Sequence, residues 1–373
     1  MAQLQNEKAM KQFVRQCLVG GVRSWPLGRE PDDLADFLSL TGEMEVQPIL
    51  YSMLVSSGME RLWPAEIVRC LRDVNRAHYV GFEYRVEEIG RVFSRLTECG
   101  VQGVLLKGVP FSYTIYPLPH HRPSSDVDVL IDRKDLEGVT ENMLQMGYRE
   151  VPDMLFGTVS QQKQFWREGE RGFEHVFEFH TEMNNRPLLA PFGMRHFESR
   201  SDSFTVGGIK LQRPKAPEAF VSAALHRFGH LPNDRRFLWL YDLKLLADRM
   251  SEEEWETVIR LAQASKCRSL ICETLRELEL TFEYEIPRPV SLWCERSREE
   301  KGEISAYYLK ENRTRRSDLW IAIRTLPGLS LRLRALIQLV LPARSYMEAQ
   351  FSEEGTKNLW LLYGKRFWRM FLS

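Results

Sequence analysis

Two aspartates one residue apart, Asp126 and Asp128, are the residues of this chain best placed to do chemistry. They stand in Arg122-Pro123-Ser124-Ser125-Asp126-Val127-Asp128-Val129-Leu130-Ile131, whose apolar residues thread the acids as in a strand. Side chains of a strand alternate between faces, so both carboxylates point one way while Val127, Val129 and Ile131 point the other. Neighbouring carboxylates on a half-buried sheet repel each other and are costly unless a positive charge sits between them. Mg²⁺, a hard cation that prefers oxygen ligands, meets that need. Just upstream, Val104-Leu105-Leu106 runs into Lys107-Gly108. A glycine at the mouth of a helix lets backbone N–H groups approach a phosphate with no side chain in the way. A bare D-x-D also occurs at solvent-facing strand ends. The preceding strand and the Lys-Gly turn favour the metal-binding reading here.

The elements that must hold these groups follow from periodicity. The spacing predicts a helix over Tyr84–Cys99 capped by Gly100, a strand over 102–106, a helix over 109–116, a strand over 125–131 and a helix from Lys134 to Met146 ended by Gly147. Phe173 to His180 alternates as a strand with Glu178 on one face and Phe177 and Phe179 on the other. Ser203 to Leu211 reads as a hairpin turning at Gly207-Gly208. Before this core the chain reads as helical. After it, Ala219–His230, Phe237–Met250, Glu252–Ala264 and Leu270–Leu278 read as successive amphipathic helices, with Ser251 and Glu254 spaced as a capping box. The expected division is 1–84, an N-terminal helical subdomain; 85–214, the core; and 215–373, a C-terminal helical region.

Strand, glycine turn, helix and D-x-D strand together resemble the polymerase-β-like nucleotidyltransferases. With Leu106-Lys107-Gly108, Tyr116-Pro117, the Arg122–Ile131 run and Gly147-Tyr148, the chain is similar to an uncharacterised group of bacterial nucleotidyltransferase family proteins. Phe179-His180, His226, the Trp239-Leu240-Tyr241-Asp242 helix and Pro342-Ala343-Arg344-Ser345-Tyr346 extend the likeness, although only the core motif is specific. The chain departs from the wider superfamily in carrying Lys-Gly where many members have Gly-Ser. The resemblance implies an α+β fold: a mixed sheet with flanking helices, plus helical regions at both ends. It also implies a third carboxylate on a later strand. Glu178 fits that place, with Glu174 and Glu182 as rivals in the same alternation, and its departure is that aspartate is commoner there.

Other residues carry two readings each. His180 sits two residues after Glu178 on the same face, and either contacts substrate, positions the metal ligands or is structural. His226 and His230 have the helical spacing of a zinc pair, but Arg227 stands where H-E-x-x-H requires Glu, so a structural or substrate-lining role is expected. Asp242 faces the cleft or forms a cap or ion pair. Arg122 meets a phosphate or balances the acidic strand. Ser124 and Ser125 join Lys107 and Gly108 as expected nucleotide contacts.

The bulk numbers constrain the partners. Lys plus Arg equals Asp plus Glu, 51 each among 373 residues, so net charge gives no reason to expect a long polyanion. From Lys310 onward twelve basic residues face five acidic ones, and Trp360, Tyr363, Lys365, Arg366, Phe367 and Trp368 mix charge with aromatics. Stacking on nucleic acid or packing as an amphipathic helix would both use such a tail, and packing is favoured. The six cysteines at 17, 70, 99, 267, 272 and 294 form no C-x-x-C pair and read as free or buried thiols. The first residues lack an apolar signal region and no apolar run approaches the twenty or so residues of a spanning helix, so a cytoplasmic protein with no membrane partner is expected. No Walker A, G-x-S-x-G or Rossmann glycine pattern occurs.

The implied activity is transfer of a nucleoside monophosphate from an NTP, ATP foremost, to an acceptor hydroxyl with release of pyrophosphate. Asp126, Asp128 and Glu178 would hold two Mg²⁺ ions, for which Mn²⁺ can substitute. The acceptor is a small molecule, peptide or protein. The alternatives are an enzyme acting on tRNA or RNA ends, and a non-catalytic binding or scaffold protein on the same fold, against which retention of both aspartates argues.

Overall fold

A computed structural model describes residues 2–28, 30–183, 192–297, 303–351 and 358–372. Four helices come first: α1 (Ala2–Gly20), α2 (Pro31–Glu43), α3 (Gln47–Ser57) and the long α4 (Ala65–Glu98). Pro31 at the first turn of α2, followed by Asp32 and Asp33, sets the local geometry and complements the helix dipole. The core elements follow as β1 (Gly103–Leu105), α5 (Val109–Thr114), β2 (Val127–Ile131), α6 (Leu136–Gln145), β3 (Arg149–Val151), β4 (Gln162–Glu168), β5 (Glu174–His180), α7 (Met194–Phe197), β6 (Ser201–Val206) and β7 (Ile209–Pro214). Then come α8 (Ala216–Gly229), α9 (Phe237–Ala247), α10 (Glu252–Ala264), α11 (Arg268–Phe282), α12 (Arg288–Ser297), α13 (Arg315–Thr325), α14 (Leu329–Val340), α15 (Arg344–Phe351) and α16 (Leu359–Leu372).

The seven strands form one mixed sheet in the order β3-β4-β5-β2-β1-β7-β6. β2 pairs parallel with β5 and antiparallel with β1, and β1 pairs parallel with β7. The expected α+β arrangement, a mixed sheet with helices before and after it, is the one observed. The β6–β7 hairpin turns at Gly207 and Gly208, both at positive φ, as a two-residue turn of this hand requires. Ser251 and Glu254 close their capping box at the start of α10. Two polar strands, the short β3 and the seven-residue β4, were not expected from the sequence.

Hydrophobic burial divides into two main bodies. The first joins Phe13, Trp25, Phe37 and Trp63 of the N-terminal helices and connections to Phe111, Ile115 and Tyr116 at α5, and then to α8–α11. The helices before the sheet and those directly after it therefore share one core, to which α5 contributes. The second body lies between the sheet and α4 and α6: Ile89, Val92, Phe93 and Leu96 pack on Val127, Val129, Phe177 and Phe179. α4 runs unbroken through residue 84, so it serves both bodies.

The cysteine expectation is corrected: Cys272 in α11 and Cys294 in α12 form a disulfide, while Cys17, Cys70, Cys99 and Cys267 are free. In the tail, Leu362 is buried, Tyr363 donates to the Pro342 carbonyl at 2.6 Å, and Trp360, Phe367 and Trp368 are exposed. Among the described residues no helix is long and apolar enough to cross a membrane.

Candidate active site

The sheet order places the two acidic strands side by side. Because β2 and β5 run parallel with Asp128 opposite Glu178, and Leu130 opposite His180, the polar faces of both strands open on one side. The apolar faces turn to the second core, where Val127, Phe177, Val129 and Phe179 are buried. Alternation in two neighbouring strands thus gathers Asp128, Glu178 and His180, whose ligand atoms all lie within 4.8 Å of one another. His180 Nε2 is 2.9 Å from Asp128 Oδ1 and 3.7 Å from Glu178 Oε2. Gln162 on β4 donates to Glu178 Oε2 at 3.2 Å and holds that carboxylate in place.

Lys107 enters the same group, with Nζ 2.9 Å from Asp128 Oδ1. The turn after β1 aims it there. Gly108 has φ 63°, and a Cβ at that position would meet Ser124 Oγ at 3.2 Å, so glycine suits both the conformation and the close approach of the Asp126 loop. Ser124 itself donates to the Asp126 carbonyl at 2.9 Å, and Arg85 from α4 donates to the Ser124 carbonyl. Ser125 is exposed at the tip.

The electrostatics are those of crowded charge. Burial would raise the Asp128 carboxyl, but Lys107 and His180 outweigh it and hold it well below the usual carboxylate range. Burial, and then the charge of Asp128, push Asp126 and Glu178 upward. Burial opposes the Lys107 ammonium, yet Asp128, Asp126 and Glu178 more than compensate and its pKa rises. The cluster therefore stays charged around Asp128 and carries excess negative potential toward Asp126 and Glu178.

These groups form part of the wall of a cleft of about 660 Å³ between the sheet and helices α8, α9 and α13. Its opposite side carries His226, His230 and Trp239, whose rings pack with centroids 4.6–4.8 Å apart. Burial, then the charge of Lys107, keeps His226 neutral, well below the ordinary histidine range. The two histidines pack as rings in the wall. Arg236, Asp234, Arg315, Asp318 and Glu45 complete this side.

Two sequence expectations come out differently. Arg122 borders the cleft, but its guanidinium is spent on Asp242: Nε is 2.9 Å and Nη2 2.7 Å from the Asp242 carboxylate, and Tyr116 donates to the same carboxylate at 2.8 Å. Asp242, only 2% exposed, is thus the buried counter-ion of Arg122 and not a cleft-lining group. Lys107 stands in the cleft wall, ion-paired with Asp128. Of the rivals to Glu178, Glu174 is exposed at the start of β5 and Glu182 lies beyond its end. Gln162, Arg236 and Asp318 were missed. The Gln162–Glu168 stretch alternates only weakly in polarity, and the other two join the cleft through contacts distant in sequence.

A family model described as uncharacterised nucleotidyltransferase matches residues 30–283. No curated protein matches the sequence. Among solved structures, the solution structure of the antibiotic-resistance factor ANT(2'')-Ia aligns with a TM-score of 0.36 at 13% identity, over 52% of this chain and 98% of that one. The crystal structure of an antigenic nucleotidyltransferase-like protein from Paracoccidioides brasiliensis aligns with a TM-score of 0.31 at 13% identity, over 54% of this chain and 94% of that one.

Proposed function

The chain belongs to the uncharacterised nucleotidyltransferase family, and from that premise we propose that it transfers a nucleoside monophosphate from an NTP, with ATP as the donor, to an acceptor hydroxyl. The observation that carries the reading is the meeting of Asp128, Glu178 and His180 from paired strands at the wall of a large cleft, beside Asp126. Two carboxylates and an imidazole within 4.8 Å are a donor set that suits a divalent cation, so the residues present fit the ion that nucleotidyl transfer calls for. Asp126, Asp128 and Glu178 would hold Mg²⁺ or Mn²⁺, which when bound neutralises phosphate charge and stabilises the attacking and leaving oxygens.

The chain's own residues account for the remaining steps. Lys107, the Gly108 turn, Ser124 and Ser125 stand where the triphosphate would approach Asp126, and the ammonium offers it a charge. Arg122 acts indirectly, fixing the Pro123–Ser125 loop through Asp242. The acceptor occupies the side lined by His226, His230 and Trp239. Its oxygen bonds to the α-phosphorus as the bond from that phosphorus to the pyrophosphate oxygen breaks. The hydroxyl proton passes to the departing pyrophosphate. The cleft excludes bulk water from the reacting groups to the extent that Asp128 and His180 are almost wholly buried.

The experiment is incubation with each α-labelled NTP, Mg²⁺ or Mn²⁺ and fractionated cell extract. Label entering a small-molecule, peptide or protein fraction supports the reading. Label entering RNA ends, with affinity that falls steeply as salt rises, would replace it by the RNA-end alternative. No label in any fraction, with no pyrophosphate formed, would leave a binding protein on this fold.

A further inference from the structure

We propose that His180 is itself a metal ligand, and that Asp128, Glu178 and His180 form a mixed nitrogen–oxygen site that takes Mn²⁺ in preference to Mg²⁺. This deepens the proposed function and depends on it only for the presence of a divalent cation.

The separations carry the first part. Two donors about 2.1 Å from one ion lie about 3.0 Å apart when adjacent and about 4.2 Å apart when opposite. The imidazole nitrogen stands 2.9 Å from Asp128 Oδ1 and 3.7 Å from Glu178 Oε2. Those are spacings of groups that share an ion. The ring is also held for that purpose: it projects from β5 two residues after Glu178, on the same face, and its side chain is only 6% exposed.

Proton placement gives the second part. In the geometry observed, Nε2 meets Asp128 Oδ1 in a hydrogen bond whose direction depends on the tautomer. His180 Nδ1 is buried and has no hydrogen-bond partner among the described residues. When a cation replaces the hydrogen bond to Asp128, Nε2 presents its lone pair and the ring proton sits on Nδ1, which has no protein acceptor among the described residues. Lys107 Nζ lies 2.9 Å from the same Asp128 oxygen, so this oxygen already serves as the focus of positive charge.

The choice of ion follows from ligand chemistry. Mg²⁺ favours an all-oxygen shell in strict octahedral geometry and keeps its waters. Imidazole suits first-row transition ions, and Mn²⁺ is the member of that series that also accepts carboxylates and phosphates readily.

The test is metal binding to the whole protein, read by electron paramagnetic resonance and calorimetry, with an NTP analogue that cannot transfer. Wild type should bind Mn²⁺ with ¹⁴N hyperfine coupling, and the coupling should change to the ¹⁵N pattern when the protein is grown with ¹⁵N-histidine. His180→Asn should lose the coupling and weaken Mn²⁺ binding by about tenfold or more, with Mg²⁺ binding much less affected. The isotope substitution needs no variant, so a misfolded His180→Asn would not spare the proposal. Bound Mn²⁺ with no nitrogen coupling, or an unchanged coupling in a folded His180→Asn, overturns it. The two readings fail separately. Nitrogen-coupled Mn²⁺ in a protein that transfers no label from any NTP supports the site and sinks the transferase. Label transfer with oxygen-only coordination does the reverse.

Discussion

Two buried ionic clusters begin four residues apart on one loop and differ in whether their partners complete them. Arg122 is matched: its fork meets the Asp242 carboxylate, Tyr116 supplies a further donor, and both charged side chains are at most 5% exposed. Asp126 and Glu178 are not, because Asp128 takes the contacts of both Lys107 and His180. Three carboxylates gather around one ammonium and one imidazole, and burial with mutual repulsion lifts two of their pKa values. A satisfied pair inside a protein is costly to break and does little else. An over-supplied cluster at the wall of a cleft stores a demand for a ligand. The difference separates the residue that shapes the loop from the residues that would do the chemistry.

The comparison can be broken most forcefully at Asp242. Asp242→Asn leaves the Arg122 guanidinium buried without its counter-charge and should cost about 3–5 kcal/mol of stability. Asp128→Asn should cost less, because Asp126 and Glu178 remain to face Lys107, and Asp126→Asn should leave the metal-free protein as stable or more so. Urea unfolding of the three variants checks the order. Equal losses at Asp242 and Asp128 would erase the distinction between the clusters.

A narrower effect concerns the third carboxylate. Glu178→Gln should keep NTP binding but slow label transfer by about 100-fold or more, the scale on which removing one preorganised charged group acts. Glu174→Gln and Glu182→Gln should transfer at the wild-type rate. A Glu178→Gln enzyme of normal rate would take this residue out of the mechanism.

An effect confined to acid pH lies next to Arg122, at His121. Burial, then the neighbouring His120, lowers its pKa to about 4, below the ordinary 6.5 of an unfolded histidine. The unfolded chain therefore binds the proton first as pH falls. His121 should leave stability untouched above pH 6.5 and erode it between 6.5 and about 4, by up to about 1.4 kcal/mol per pH unit. His121→Phe should make the slope in that interval shallower and change nothing above it. A pH–stability curve with the same slope in both proteins would contradict the assignment.

Much of the site was legible because β-strand alternation is a local signal. Asp126, Asp128 and Glu178 could be placed on common faces from spacing alone, and the β2–β5 pairing then brought the faces together. Gly108 was legible because few residues tolerate its backbone conformation. The partner of Arg122 was not, since the sequence offers many acids, and only the packing of α9 against α5 and its loop selects Asp242. Nor was the pairing of Cys272 with Cys294, which depends on how α11 and α12 lie together. β3 and β4 escaped notice because one is three residues long and the other alternates charged and amide side chains with only one buried aromatic, Phe165. The sequence placed His180 correctly on the face of Glu178, but its distance from Asp128 could come only from the strand register.

The measurement that tests the central claim most directly is the thermal shift produced by NTP with a divalent cation in wild type, Asp126→Asn and Asp128→Asn. The account predicts a clear stabilisation of wild type that requires both nucleotide and metal and is abolished in each variant while the fold persists. Equal stabilisation of all three proteins would contradict it.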